Sequence, residues 1–98
     1  MGHLANYIAT HFRPSGEPGR ISKLRLLERR EEQFEDCDMI DRERLIELLE
    51  ADERIFTWDH DQQNLGEEIE LVRVEGQPYL RVDGQRLRAD NLGELPEA

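Results

Sequence analysis

Four side chains near the C-terminus have the chemistry to bind an anion. They are Tyr79, Arg81, Arg86 and Arg88. Guanidinium groups bind carboxylates and phosphates through paired hydrogen bonds, and an aromatic ring can cover the arginine stems. The set therefore predicts a face that binds an acidic protein partner or an anionic ligand. The alternative is that nearby glutamates, such as Glu68 and Glu70, neutralise these arginines on a solvated surface.

A second group has the residue types of an enzyme or a metal site. It consists of His11, His60 and Asp59. Imidazole and carboxylate groups act in acid–base catalysis and as zinc ligands. Neighbouring residues of a strand point to opposite faces, so Asp59 and His60 alone do not surround one ion. A small metal-binding or hydrolytic enzyme around His60 and His11 is thus an alternative function, and we assign no catalytic residue, metal ligand or cofactor.

The single cysteine, Cys37, lies between Asp36 and Asp38, whose negative charges disfavour a reactive thiolate. One cysteine excludes an internal disulfide and fits a reducing compartment. The sequence has no secretory signal and no apolar run long enough to cross a membrane. We therefore expect a cytoplasmic protein that does not contact a membrane.

The net charge of −10 is concentrated in one block. Residues 31–61 hold 13 acidic and 3 basic side chains, and the rest of the chain is balanced. Nucleic acid affinity depends on neutralising phosphates with lysine and arginine, so this block disfavours nucleic acid. A nucleic-acid-binding accessory protein stays an alternative only through the basic sheet face. In a homodimer, that face would meet the acidic block of a second copy.

Three alternating segments predict a β-meander in the C-terminal third, with turns at Glu75-Gly76 and Asp83-Gly84. The segments are Glu67–Val74, Pro78–Val82 and Gln85–Ala89. Two-residue loops would align Leu71, Leu80 and Leu87 on one apolar face. The arginines of the predicted binding face would then lie on the opposite side. A tail over residues 90–96 is predicted to form one helical turn, capped by Asp90 or Asn91, that covers the sheet with leucines.

The remaining elements complete a single α+β domain over residues 1–98. They are an N-terminal hairpin over 4–28 with strands Leu4–Phe12 and Ile21–Glu28, a turn and short strand over Arg29–Glu35, a helix over 41–51, and a strand over Arg54–His60. Asp41 is the expected helix N-cap, with Asp38 as a competing cap one turn earlier. The lack of a glycine after Ala51 predicts a frayed end. We predict one helix packed on a curved antiparallel sheet, in the order β-β-α-β-β-β, with a partly closed barrel as the alternative.

Several short motifs resemble a small bacterial family catalogued as domain of unknown function 3892. The motifs are Tyr79-Leu80-Arg81, Asp90-Asn91-Leu92, Leu95-Pro96, the strand end Ile21–Arg25 and the helix Leu45-Ile46-x-x-Leu49. The chain departs from the family pattern at Val82, where threonine is more frequent, and at Asp52-Glu53, where a glycine follows the helix. The resemblance implies a fold for nearly the whole chain and no chemistry.

Overall fold

The computed structural model describes residues 5–17 and 19–98. Within this part of the chain there are seven strands and one helix. In chain order they are β1 Tyr7–Pro14, β2 Ile21–Arg30, β3 Gln33–Asp41, α1 Arg42–Glu50, β4 Ile55–Asp59, β5 Asn64–Glu68, β6 Glu70–Val74 and β7 Gln77–Arg81. The start of the predicted first strand, Leu4, lies outside the described residues.

Five strands form the main sheet, in the order β3-β2-β1-β4-β5, and β6 pairs with β7 in a second sheet. All neighbours are antiparallel except β1 and β4, which run parallel. The predicted α+β class with one helix is confirmed, and the sheet is mostly antiparallel as expected. The predicted order β-β-α-β-β-β is wrong, because three strands precede the helix and four follow it. The main sheet is open, with β3 and β5 at its edges, so the partly closed barrel is not confirmed.

Four β-bulges break the regular pairing of the main sheet, one of them at Ser22 near the start of β2. An extra residue, Thr10, lies in β1, and the pairs Cys37-Asp38 and Gly66-Glu67 each face a single residue on the adjacent strand. Bulges bend the strand that carries them and increase its twist. In β3 the bulge also shifts the alternation of apolar residues, which explains why the sequence predicts only a short strand at 29–35. Strand β5 begins between the predicted strands Arg54–His60 and Glu67–Val74, where the sequence predicts no strand.

The hairpin of β6 and β7 has the predicted loop and register. Glu75 and Gly76 have φ angles of 51° and 81°, as a type I′ turn requires, and Leu71 pairs with Leu80. The prediction of a third strand in the meander is wrong, because residues 82–90 form no strand. The Asp83 carboxylate binds Arg81 and the backbone N–H of Gln85 instead of helping to form a hairpin turn.

Helix α1 begins as predicted and ends in a more ordered way than predicted. The Asp41 carboxylate accepts a hydrogen bond from the Arg44 backbone at 2.9 Å, which confirms the N-cap. After the helix, Asp52 takes a left-handed conformation (φ 64°), and the Glu53 N–H binds the Leu48 carbonyl at 3.0 Å. This is a Schellman closure with aspartate in the usual place of glycine. No helix among residues 5–17 and 19–98 is both long and apolar enough to cross a membrane.

One face of the main sheet packs against α1, the hairpin and the C-terminal tail to form the larger core. Its fully buried side chains include Leu24, Leu26, Leu45, Ile55 and Leu80. Leu92 and Leu95 of the tail are buried in it, as the sequence predicts. The predicted helical turn of the tail is absent; the tail instead runs beside β1, where Phe12 N–H binds the Pro96 carbonyl at 3.0 Å.

Asp90 joins the elements of this core through one buried carboxylate. Its side chain is 1% exposed and accepts hydrogen bonds from the backbone N–H groups of Ile21 and Leu80. The same carboxylate binds the guanidinium of Arg42 at 2.5 and 2.9 Å. Arg42 also donates to the carbonyls of Ile21 and Pro78. Asp90 therefore links β2, α1, β7 and the tail, and is not the helix cap that the sequence predicts.

Candidate ligand-binding face

The structure places two residues of the predicted binding set inside the protein. Arg81 is 4% exposed; it forms two hydrogen bonds with the Asp83 carboxylate and donates to the Ala89 carbonyl at 2.6 Å. This pairing holds the pKa of Asp83 well below its usual value, first because Arg81 donates to its carboxylate. Tyr79 is buried too, and Arg20 lies over its ring at 5.1 Å.

The other two residues of that set lie in the segment that forms no strand. Arg86 and Arg88 are exposed, and Arg88 forms an ion pair with Glu75 at the hairpin turn. A common face for the four residues depends on the third strand of the meander. Since that strand is absent, the structure does not bring Tyr79, Arg81, Arg86 and Arg88 together on one sheet face.

The two histidines of the alternative site do lie side by side. The ring centroids of His11 and His60 are 5.3 Å apart, and His60 Nε2 lies 2.8 Å from the Thr10 carbonyl. The Asp59 carboxylate accepts from the backbone of Asp61 and Gln62, which shapes the turn after β4. Across residues 5–17 and 19–98, no group of three or more histidine, cysteine, aspartate or glutamate side chains is arranged to hold a metal ion.

Cys37 lies in an environment that disfavours the thiolate. Partial burial raises the pKa of its thiol, and the negative charge of Glu28 adds to the effect. The Glu28 carboxylate lies 3.9 Å from the sulfur. The sequence predicts that the charges of Asp36 and Asp38 disfavour the thiolate. In the structure, partial burial and Glu28 on the adjacent strand disfavour it.

The main sheet has a second face, which we call the open face. A row of apolar side chains crosses it: Ile8 lies opposite Leu27 on β2 and opposite Phe56 on β4. These three pack with Ala5, and Phe34 and Trp58 extend the cluster to either side. Within the described chain, the cluster contains no residue of α1, the hairpin or the tail. Trp58 is half-buried here, at the surface of the sheet.

Basic side chains surround the apolar row. Strand pairing and alternation place five on the open face: Arg13, Lys23, Arg25, Arg29 and Arg54. The guanidinium of Arg54 lies 5.5 Å from the centre of the Phe56 ring. The acidic residues on the same face are Asp36, Asp41 and Glu68. On a chain of net charge −10, this face thus carries more positive than negative charge.

Two of the five basic residues have carboxylate partners on the face. Arg25 pairs with Asp36, and Arg54 binds Glu68 at 2.8 and 2.9 Å. Hydrogen bonds from these arginines lower the pKa of both carboxyls, so both are charged at neutral pH.

The other three basic residues of the face, Arg13, Lys23 and Arg29, form no ion pair with any described residue. The Nε atom of Arg29 is also buried without a hydrogen-bond partner in this part of the chain. The open face therefore offers positive charge that the described residues leave uncompensated, next to aromatic side chains.

The sequence contains a signal for this face in the alternation of side chains along β2. Lys23, Arg25, Leu27 and Arg29 occupy every second position of β2. They alternate with Leu24 and Leu26, which are fully buried in the larger core. Strict alternation of charge with leucine indicates a strand with one solvent face. A bulge at Ser22 turns Ile21 toward the core and hides the pattern at the start of the strand.

A cleft beside His60 is opposite in charge to the open face. It has a volume of about 360 Å³, and its charged walls are Asp59, Asp61, Glu67 and Glu94. The cleft contains none of the uncompensated arginines and lysine, so it does not suit an anionic ligand.

No family model, no curated protein and no solved structure matches this chain.

Proposed function

We propose that the protein is a non-enzymatic interaction module that binds an acidic segment of a partner protein on its open face. The observation that carries the proposal is uncompensated positive charge next to an apolar row. Aromatic and arginine side chains are enriched at the centres of protein interfaces, and acidic groups pair with guanidinium groups. A cytoplasmic location, expected from the sequence, is part of the proposal.

The sequence already predicts that basic side chains bind an acidic partner, but the open face is a different surface from the predicted one. The sequence predicts an anion-binding face on Tyr79, Arg81, Arg86 and Arg88; the buried ion pair of Arg81 disfavours that surface. On the open face, Arg29 and Lys23 form no ion pair with any described residue, although Asp41 lies opposite Lys23 on β3. A partner carboxylate at these positions does not have to displace an internal ion pair.

Single-stranded nucleic acid is the second candidate, because bases also stack on aromatic side chains of a basic sheet face. The acidic block of residues 31–61 begins on β3, which is part of the same sheet. Its negative charge repels phosphates and reduces their affinity. We therefore favour an acidic protein segment and treat nucleic acid as an outcome of the test.

The proposal is tested by titrating isotope-labelled protein with a random copolymer of glutamate and tyrosine, followed by amide chemical shifts. We expect the shifts to map to β1, β2 and β4. Lys23→Gln with Arg29→Gln should weaken binding by about 2- to 30-fold, since two exposed ion pairs contribute about 0.4–2 kcal/mol together. The matched control, Arg86→Gln with Arg88→Gln, removes the same charge from the other surface and should bind normally.

Three results would contradict the proposal. The first is a larger loss in the Arg86/Arg88 control than in the Lys23/Arg29 variant, which would restore the surface predicted from the sequence. The second is tighter binding of oligothymidylate than of the copolymer, which would favour nucleic acid. The third is sedimentation as a dimer that the Lys23/Arg29 variant abolishes, which would make a second copy the occupant of the open face.

A further inference from the structure

One strand presents most of the positive charge of the open face in a straight row. Lys23, Arg25, Leu27 and Arg29 lie on β2 at every second residue and point to the same side. We call them the β2 row. Residues on one side of a strand repeat about every 6.6–6.8 Å, so the row is about 20 Å long. It consists of three positive charges and one apolar side chain in a defined order.

Neighbouring side chains support three positions of the β2 row, whereas Arg25 already pairs with Asp36. Arg13 pairs with Lys23 across β1, which widens the basic end of the row. Ile8 lies beside Leu27, so the apolar position of the β2 row also belongs to the apolar row that crosses the open face. Phe34 lies beside Arg29, whose Nε has no partner in the described chain.

The spacing of the row selects the conformation of its partner. An extended chain repeats its side chains on one side at the same interval as β2, whereas a helix repeats its faces every 5.4 Å. A chain that packs on a sheet face lies about 10 Å away, and its direction stays within about 30° of the strands. A glutamate and an arginine or lysine together span such a gap.

We propose that the partner segment binds along β2 in an extended conformation. Carboxylates two residues apart face Lys23 and Arg25, an apolar side chain faces Leu27, and a third carboxylate faces Arg29. The binding motif is thus acidic-x-acidic-x-apolar-x-acidic, or its reverse if the segment runs antiparallel to β2. This inference rests on the proposed function and adds the conformation and register of the ligand.

The experiment compares labelled peptides of identical composition by fluorescence anisotropy at low ionic strength. The alternating peptides are Glu-Thr-Glu-Thr-Leu-Thr-Glu and its reverse, and the blocked peptide is Glu-Glu-Glu-Leu-Thr-Thr-Thr. We expect one alternating peptide to bind at least tenfold more tightly than the blocked peptide. The Lys23→Gln, Arg29→Gln variant should remove this preference, and the Arg86→Gln, Arg88→Gln control should retain it.

The outcomes separate this inference from the proposed function. Suppose that the alternating and blocked peptides bind equally and the changes in amide chemical shift still map to the open face. This result overturns the extended register and does not contradict the proposed function. Failure of both the peptides and the glutamate–tyrosine copolymer to bind overturns both. A preference that survives the Lys23/Arg29 substitutions places the peptide elsewhere and also overturns the register.

Discussion

Replacing Asp90 with asparagine removes the charge that joins four elements of the core while keeping the size of the side chain. The carboxylate accepts four hydrogen bonds, two from backbone N–H groups and two from Arg42. An asparagine keeps one acceptor oxygen and turns an amide donor toward two of these donors. Arg42, only 16% exposed in its side chain, then loses its carboxylate partner.

The expected loss in the free energy of unfolding is about 3–5 kcal/mol, the range for breaking a buried ion pair by removing one partner. The two lost hydrogen bonds to a charged group give a similar figure, at about 1.5–3 kcal/mol each. A domain of this size has a stability of about 5–15 kcal/mol, so this loss is a large fraction of the total. The urea midpoint should fall by about 2–3 M for a denaturant slope near 1.5 kcal/mol/M.

Urea unfolding measures this effect with two signals, far-ultraviolet circular dichroism and the fluorescence of Trp58. The control is Asp61→Asn, which removes the same charge from an exposed turn residue and should change stability by less than about 0.5 kcal/mol. Arg42→Gln combined with Asp90→Asn should cost less than the sum of the single substitutions, because the two side chains form one pair. A loss below about 1 kcal/mol for Asp90→Asn, or strict additivity, would refute the role given to Asp90.

Three further substitutions test local features of the fold. Gly66→Ala should lower the free energy of unfolding by about 1–3 kcal/mol, because a Cβ there would lie 2.5 Å from the hydroxyl of the facing threonine. The control is Gly16→Ala, where an added Cβ has no neighbouring atom within 4 Å. Equal losses of stability in the two variants would contradict the steric explanation. Asp52→Gly should raise stability by about 1 kcal/mol in thermal unfolding, because glycine adopts the left-handed closure of α1 at lower cost, and a destabilised variant would refute this. The pKa of Asp83 is lower in the folded protein than in the unfolded chain. The contribution of its carboxylate to the free energy of unfolding is therefore fully present above the unfolded-state pKa and is lost as the pH falls through the folded-state pKa. The stability difference between the wild type and Asp83→Asn should therefore be largest above about pH 5 and shrink toward pH 2, and a constant difference would contradict the ion pair with Arg81.

Local interactions explain what could be predicted from the sequence. Asp41 caps α1 because its side chain reaches a backbone N–H only three residues away. The Glu75-Gly76 turn forms because glycine accepts positive φ, and the short loop then sets the register of β6 and β7. Neither result depends on distant parts of the chain.

The errors occurred where distant contacts compete with local signals. Asp83-Gly84 is a strong hairpin signal, yet the Asp83 carboxylate binds Arg81 and no third strand follows. Asp90 has the character of a helix cap, yet it accepts hydrogen bonds from Ile21 and Leu80. The binding face predicted from Arg81 depended on that third strand, and tertiary contacts removed it.

The sequence by itself determined the α+β class, the helix with its N-cap, the first hairpin turn of the C-terminal third and the burial of Leu92 and Leu95. Each follows from side-chain chemistry read over a few residues. Only the tertiary structure decided that β1 lies between β2 and β4, and hence that Leu27, Ile8 and Phe56 form one row beside uncompensated arginines. Strand order depends on the combined packing of all elements against the core, and no short segment of the sequence contains that information.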